Sequence, residues 1–136
     1  MYDIVVLTQA EYINPEKVDW YVQQVLDEDN YVIEALAARG MSVIKKDWSD
    51  PLFDWTSARA LLFRTTWDYF ERYAEFKPWL ERVSKTCLLL NSADIVKWNI
   101  DKHYLQELMT AGLNVAPTKF LKRNTSTTLK ALFEKT

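Results

Sequence analysis

Two glycines, one cysteine and one histidine are all this chain has of three residue types on which much enzyme chemistry depends. With only Gly40 and Gly112, neither a G-x-G-x-x-G turn nor a Walker loop can be written, which counts against a dinucleotide oxidoreductase or a P-loop enzyme. The lone Cys87 excludes an internal disulfide, and one thiol with one distant His103 matches no structural zinc spacing. Charge of one sign is not in surplus either: seventeen Lys and Arg stand against nineteen Asp and Glu. The basic face of a general nucleic-acid binder is therefore not expected. No apolar run approaches the roughly 18 residues of a membrane span, and the opening YDIVVLTQ has no basic n-region. The reading is a cytoplasmic protein with no membrane and no nucleic-acid partner.

What the chain does have is apolar mass. Nearly half of its 136 residues are hydrophobic, and six Trp, seven Tyr and six Phe are far too many for a disordered segment. A chain of this length can bury roughly two-thirds of its unfolded surface, enough for a real core.

Short apolar runs alternate with helical periodicity. Ile4–Leu7, Ser42–Ile44, Ala60–Phe63 and Cys87–Leu90 read as strands buried on both faces of a parallel sheet. Asn14 and Pro15 open a helix bearing Val18, Tyr21, Val22, Val25 and Leu26, and a second helix with Val32, Ile33, Leu36 and Ala37 follows DEDN and stops at Gly40. Pro78 is expected in the first turn of a helix over about Ala74–Lys85, with Phe76, Trp79, Leu80 and Val83 inward. Asn91 and Ser92 offer caps for a short helix through Trp98, and Asn99 for one running to Ala111. That last helix puts a cation, Lys102, in its first turn, where the backbone dipole prefers anions by about 0.3 to 1 kcal/mol. Beyond Gly112, a strand Thr118–Leu121, a polar turn KRNTST and helical periodicity over Thr128–Glu134 are expected. The alternation predicts an α/β fold, a mostly parallel sheet with flanking helices and right-handed crossovers.

In such a sheet ligands collect beyond the carboxyl ends of the strands. Those ends carry Thr8 and Gln9, then Asp47 and Trp48, then Arg64, Thr65, Thr66, Trp67 and Asp68, then Asn91. Within RTTWDY, Arg64 has the forked donors that clamp a carboxylate or phosphate, and the threonines can position a ligand's polar groups. The competing reading is that Asp68 pairs Arg64 while Trp67 covers the edge of the core. His103 reads as a solvent-face residue, Cys87 as a buried small hydrophobe, and Glu11, Asp27, Glu28 and Asp29 as helix-opening or solvated carboxylates. No catalytic residue and no metal ligand is assigned.

Two stretches together resemble a known superfamily. NSADIVKWNIDKHYLQELMTAGLNVAPT, from Asn91, is similar to the hallmark of the ATP-grasp ligases. RTTWDYFERYAEFKPWLERV resembles the branch containing the O-ureido-serine cyclo-ligase, with glutathione synthetase-like enzymes more distant. The resemblance implies a Rossmann-like pre-ATP-grasp domain over 1–97, on the substrate side, and an incomplete start of the ATP-grasp domain over 98–136. It implies that Lys102 contacts ATP and that Thr8, Arg64, Thr65, Thr66, Trp67 and Asp68 face a small carboxylate or amino-acid substrate. Full-length members use ATP and magnesium, but the second lysine and the magnesium-holding residues have no counterpart in this chain. The expectation is an N-terminal fragment of a carboxylate-amine ligase, inactive alone and binding neither cofactor tightly. The alternatives are a stand-alone small-ligand or protein-binding module, and a homodimer formed through the apolar surface that a missing domain would cover.

Overall fold

A computed structural model of the protein describes residues 1–122 and 124–133. The chain divides by its contacts into two compact units, Met1–Val96 and a second beginning at Lys97.

The first unit is built on four parallel strands, β1 (Tyr2–Thr8), β2 (Val43–Asp47), β3 (Ala58–Thr65) and β4 (Leu88–Leu90), in the order β2-β1-β3-β4. This is the α/β fold that the alternation of elements predicts, with α1 (Trp20–Ala37) and α2 (Tyr73–Val83) flanking the sheet. Successive side chains of a strand point to opposite faces. On one face Ile4, Val6 and Ala60 pack against Ile33 and Leu36 of α1, together with Val43, Leu62 and Leu90. On the other, Phe63 meets Phe76 and Trp79 of α2, and Trp48, Trp55 and Phe53 extend that aromatic layer edge to face.

The helix between β1 and β2 differs from the sequence expectation. DEDN does not separate two helices; it lies inside α1, which runs unbroken for 18 residues. The cap is Asp19 rather than Asn14, its Oδ1 accepting from the Val22 N–H at 2.9 Å. Val18 therefore precedes the helix, and both it and Tyr21 are exposed. Asp19→Ala is expected to cost about 1 kcal/mol, the usual value of a lost N-cap, read as a lower midpoint in urea with an unchanged slope.

Pro78 is the sixth residue of α2 rather than a first-turn residue. The helix tolerates it because Phe76, Trp79, Leu80 and Val83 bury the expected face on the sheet, and tertiary packing outweighs the missing backbone donor. Cys87 is buried, as expected, its thiol donating to the Trp55 carbonyl at 3.0 Å.

A short helix, α3 (Ala93–Ile100), spans the boundary between the units, with the Ile95 N–H donating to Ser92 Oγ at 3.4 Å. In the second unit the helix expected from Asn99 to Ala111 is interrupted. Asn99 lies within α3, Asp101 Oδ1 turns back to accept the His103 N–H at 3.0 Å, and α4 begins only at Tyr104 and ends at Thr110. Such an Asx-type bond offers the backbone an alternative to the helical ladder. Gly40 and Gly112 both take φ +80 just past α1 and α4, the left-handed conformation that ends helices and that side chains disfavour. No strand forms over Thr118–Leu121, which has no hydrogen-bonding neighbour strand among the described residues. The last helix, α5, is Leu129–Phe133; Arg123 of the expected turn and Glu134 of the expected helix lie outside the described residues. No helix among the described residues is long and apolar enough to cross a membrane.

Candidate functional site

From β1 the chain moves outward to β2, then crosses back over β1 to β3 and on to β4. The strand order therefore reverses between β1 and β3, and the crevice beyond their carboxyl ends is where an open parallel sheet takes ligands. The residues at those two ends are Thr8 and Thr65.

A slip in register brings them together. Leu7 pairs with Phe63, but the next pair is Thr8 with Thr65, so Arg64 is the extra residue of a bulge. The two hydroxyl oxygens lie 2.5 Å apart, and the Gln9 N–H donates to the Thr65 carbonyl at 3.1 Å. Thr8, Thr65 and Thr66 are all buried. Thr66 leads into a 3-10 turn, Trp67–Phe70, and its hydroxyl makes no hydrogen bond among the described residues.

The central charge of this strand-end cluster belongs to a residue that sequence reasoning had left to solvent. Asp29 is fully buried. It lies one helical turn before Ile33, on the stripe of α1 that faces the sheet, so its carboxylate arrives at the ends of the strands. Lys45, opposite Val6 in the register and on the face of Val43, reaches Asp29 Oδ2 with its ammonium at 2.8 Å. Thr65 Oγ1 donates to the same oxygen at 3.3 Å, and Arg64 Nε donates to Oδ1 at 3.3 Å. Since a carboxylate only accepts, the Thr65 oxygen is left to accept from Thr8. The Arg64 Nη2 also approaches Glu28 at 3.5 Å, but the Glu28 side chain is 71% exposed. Hence two cations face one buried carboxylate and one that water largely screens.

Asp68 does not pair Arg64. Its Oδ1 accepts from the Trp48 indole N–H at 2.7 Å and its Oδ2 from Arg72 Nη1 at 3.0 Å. Arg72 stacks on the Trp48 ring at 4.8 Å and bonds Glu75 through Nη2 at 2.7 Å. The hydrogen bonds to Glu75, and next those to Asp68, raise the Arg72 pKa, while Arg72 holds the Glu75 carboxyl below the usual carboxylate value. Trp67 does cover a core edge: its ring meets Tyr12 edge-on at 5.9 Å, and Tyr12 packs on Val22 and Val25 of α1. It remains 44% exposed. Gln9 Oε1 is buried with no hydrogen-bond partner among the described residues, while its Nε2 donates to Glu11 at 2.9 Å.

Of the residues predicted from sequence, Thr8, Arg64 and Thr65 thus converge on one cluster. Thr66 and Trp67 follow them along the chain, and Asp68 is bound into the neighbouring Trp48 and Arg72 network. Asp29 and Lys45 were missed, although Val22, Val25, Asp29, Ile33 and Leu36 recur at steps of three or four through DEDN, a signal that the helix does not stop there.

Lys102 belongs to the second unit. It sits in the turn between α3 and α4 rather than in a helical first turn, so it opposes no helix dipole. Its ammonium donates to the Asn99 carbonyl at 3.5 Å and lies 5.5 Å from the Tyr104 ring centre. His103 is exposed and stacks on Phe120. No group of three His, Cys, Asp or Glu side chains able to hold a metal occurs among the described residues.

Comparison with known proteins gives the family. The family model described as the N-terminal domain of D-cycloserine synthetase DcsG matches residues 4–91, which includes every strand-end residue above. The cycloserine biosynthesis protein DcsG of Streptomyces lavendulae is 38% identical over 87 residues, 64% of this chain and 29% of that protein. The crystal structure of D-cycloserine synthetase DcsG aligns with a TM-score of 0.69 at 30% identity, covering 84% of this chain and 35% of that one. The chain therefore spans about a third of the length of these relatives.

Proposed function

The chain belongs to the DcsG N-terminal domain family, and from that premise we propose that its first unit is the acceptor-substrate side of an ATP-dependent carboxylate-amine ligase. The observation that carries this reading is the convergence of Thr8, Thr65 and Arg64 at the β1/β3 reversal, within the stretch matched by the family model. The substrate class is a small carboxylate or amino acid. Arg64 supplies charge for the carboxylate, Thr66 offers a hydroxyl with no bond to another described side chain, and Gln9 Oε1 is an acceptor suited to an amine.

ATP and magnesium serve the ligase superfamily, but the residues here do not fit the pair. Lys102 is a single exposed cation, and no carboxylate cluster accompanies it among the described residues. We assign nucleotide activation to the part of the ligase relatives that this chain does not span, with Lys102 as the one nucleotide contact contributed from this side.

Phosphate release by the purified chain with ATP, magnesium and an amino acid tests this assignment. Turnover is expected to stay at the buffer rate. Steady hydrolysis that Lys102→Ala abolishes would show a complete ligase site and overturn it. A submicromolar small-molecule site in calorimetry, without turnover, would favour the stand-alone binding module instead.

A further inference from the structure

We infer that Asp29 is the positioning residue of the strand-end site: its buried carboxylate, balanced by Lys45, holds the Arg64 guanidinium and the Thr65 hydroxyl in place, and with only the solvent-screened Glu28 opposing it further, Arg64 is suited to a small monocarboxylate. This rests on the acceptor-side reading above and adds to it two residues, Asp29 as the group that orients Arg64 and Lys45 as its counter-charge.

The argument begins with the position. Residue 29 falls on the apolar stripe of α1, with Val25 before it and Ile33 after it, where an aliphatic side chain would pack without desolvating a charge. The chain places a carboxylate there, with no solvent exposure, and surrounds it with three donor side chains from two strands: Lys45 of β2 and Arg64 and Thr65 of β3. An ion pair so buried contributes little net stability over a hydrophobic replacement, so its physical consequence lies in what it orients.

Arg64 is what it orients. Asp29 Oδ1 engages Nε on one edge of the planar guanidinium. Nη1 makes no hydrogen bond among the described residues, Nη2 meets only the exposed Glu28 carboxylate at 3.5 Å, and the side chain is 30% exposed. A guanidinium held by Nε presents its outer nitrogens in a fixed plane, the geometry that receives a carboxylate in two parallel bonds. Lys45, whose side chain is only 15% exposed, balances the Asp29 charge, so the further partner of Arg64 is the exposed Glu28 carboxylate, 3.5 Å from Nη2, a screened contact that a ligand carboxylate can displace. The bulge at Arg64 serves the same arrangement, because it lets Arg64 and Thr65 both address Asp29 from adjacent positions of one strand.

The test uses the whole chain, acetate as the anionic probe and methylammonium as the cationic control, followed by proton–nitrogen NMR. Wild type is expected to show saturable acetate shifts at the Gln9, Thr65 and Thr66 amides and at a resolved, slowly exchanging Arg64 Nε–H, with no response to methylammonium. Asp29→Leu combined with Lys45→Met removes both buried charges while keeping apolar bulk, so it should still melt cooperatively. In it the Arg64 Nε–H signal is expected to collapse to the solvent-exposed position and acetate affinity to fall at least tenfold, although Arg64 is present. Retention of acetate affinity within twofold in that variant would overturn the positioning role while leaving the acceptor-side reading intact. A wild-type chain that does not respond to acetate would overturn both. Should the double variant not fold, Arg64→Lys replaces it: keeping the charge but losing Nε, it should lose acetate binding, and unchanged binding would refute the inference.

Discussion

Trp48→Ala is expected to destabilise the Met1–Val96 unit by about 3 to 5 kcal/mol, the range for truncating a buried large aromatic. Trp48 is 1% exposed and stands between the sheet end and α2, with ring centroids 5.2 Å from Phe76 and 5.5 Å from Trp79. It also serves the polar rim, since its indole N–H bonds Asp68 and its face carries the Arg72 guanidinium. Alanine thus opens a cavity in the aromatic layer and removes a donor from a carboxylate at once. For a unit of this size the loss corresponds to a fall of roughly 15 to 30 °C in melting temperature. Near-UV circular dichroism during a thermal melt reads it directly, because the signal comes from the same packed tryptophans. Trp48→Phe refills most of the space but not the N–H, so it should lose less, about 1 to 3 kcal/mol for the hydrogen bond and the misfit. A fall of less than about 5 °C for Trp48→Ala would mean that the layer closes without it.

Asp29→Asn is the second large effect, expected at about 3 kcal/mol by urea unfolding. The substitution keeps the shape of the side chain but leaves the Lys45 ammonium, 2.8 Å away and mostly buried, with no counter-charge. Removing one partner of a buried pair costs more than removing both, because the remaining charge stays desolvated. Adding Lys45→Met to Asp29→Asn should therefore restore most of the loss, and the double-mutant cycle should give a coupling of the order of 1 to 3 kcal/mol. Strictly additive losses would show that the two side chains act independently and that the cluster around Thr65 is held by other contacts.

These two residues differ in how far the sequence foretold them. Trp48 was placed at the end of β2 from the polar residues that close an apolar run, and Phe76, Trp79, Leu80 and Val83 were assigned to the inner face of α2 from their spacing alone. Asp29 was read as solvated because DEDN looks like a break between helices. Four polar residues in a row hide the fact that only one of them lies on the buried stripe, and helical phase across the break was the available clue. The competing reading, that Asp68 pairs Arg64, fails for a different reason. Its partners, Trp48 and Arg72, come from a strand end and the residue preceding α2, and no local pattern announces a bond between residues 20 apart.

Read alone, the sequence determined the four strands, the parallel α/β architecture, the apolar face of α2 and the kinship carried by RTTWDY. Each of these is written in periodicity or in a contiguous motif, and neither depends on distant contacts. The strand order, the bulge that sets Thr8 beside Thr65, the ion pairs of Asp29 and the placing of Lys102 in a turn were decided only in three dimensions. They arise where the ends of separate strands and helices meet, and which charges neutralise one another there is settled by distance and burial rather than by chain position.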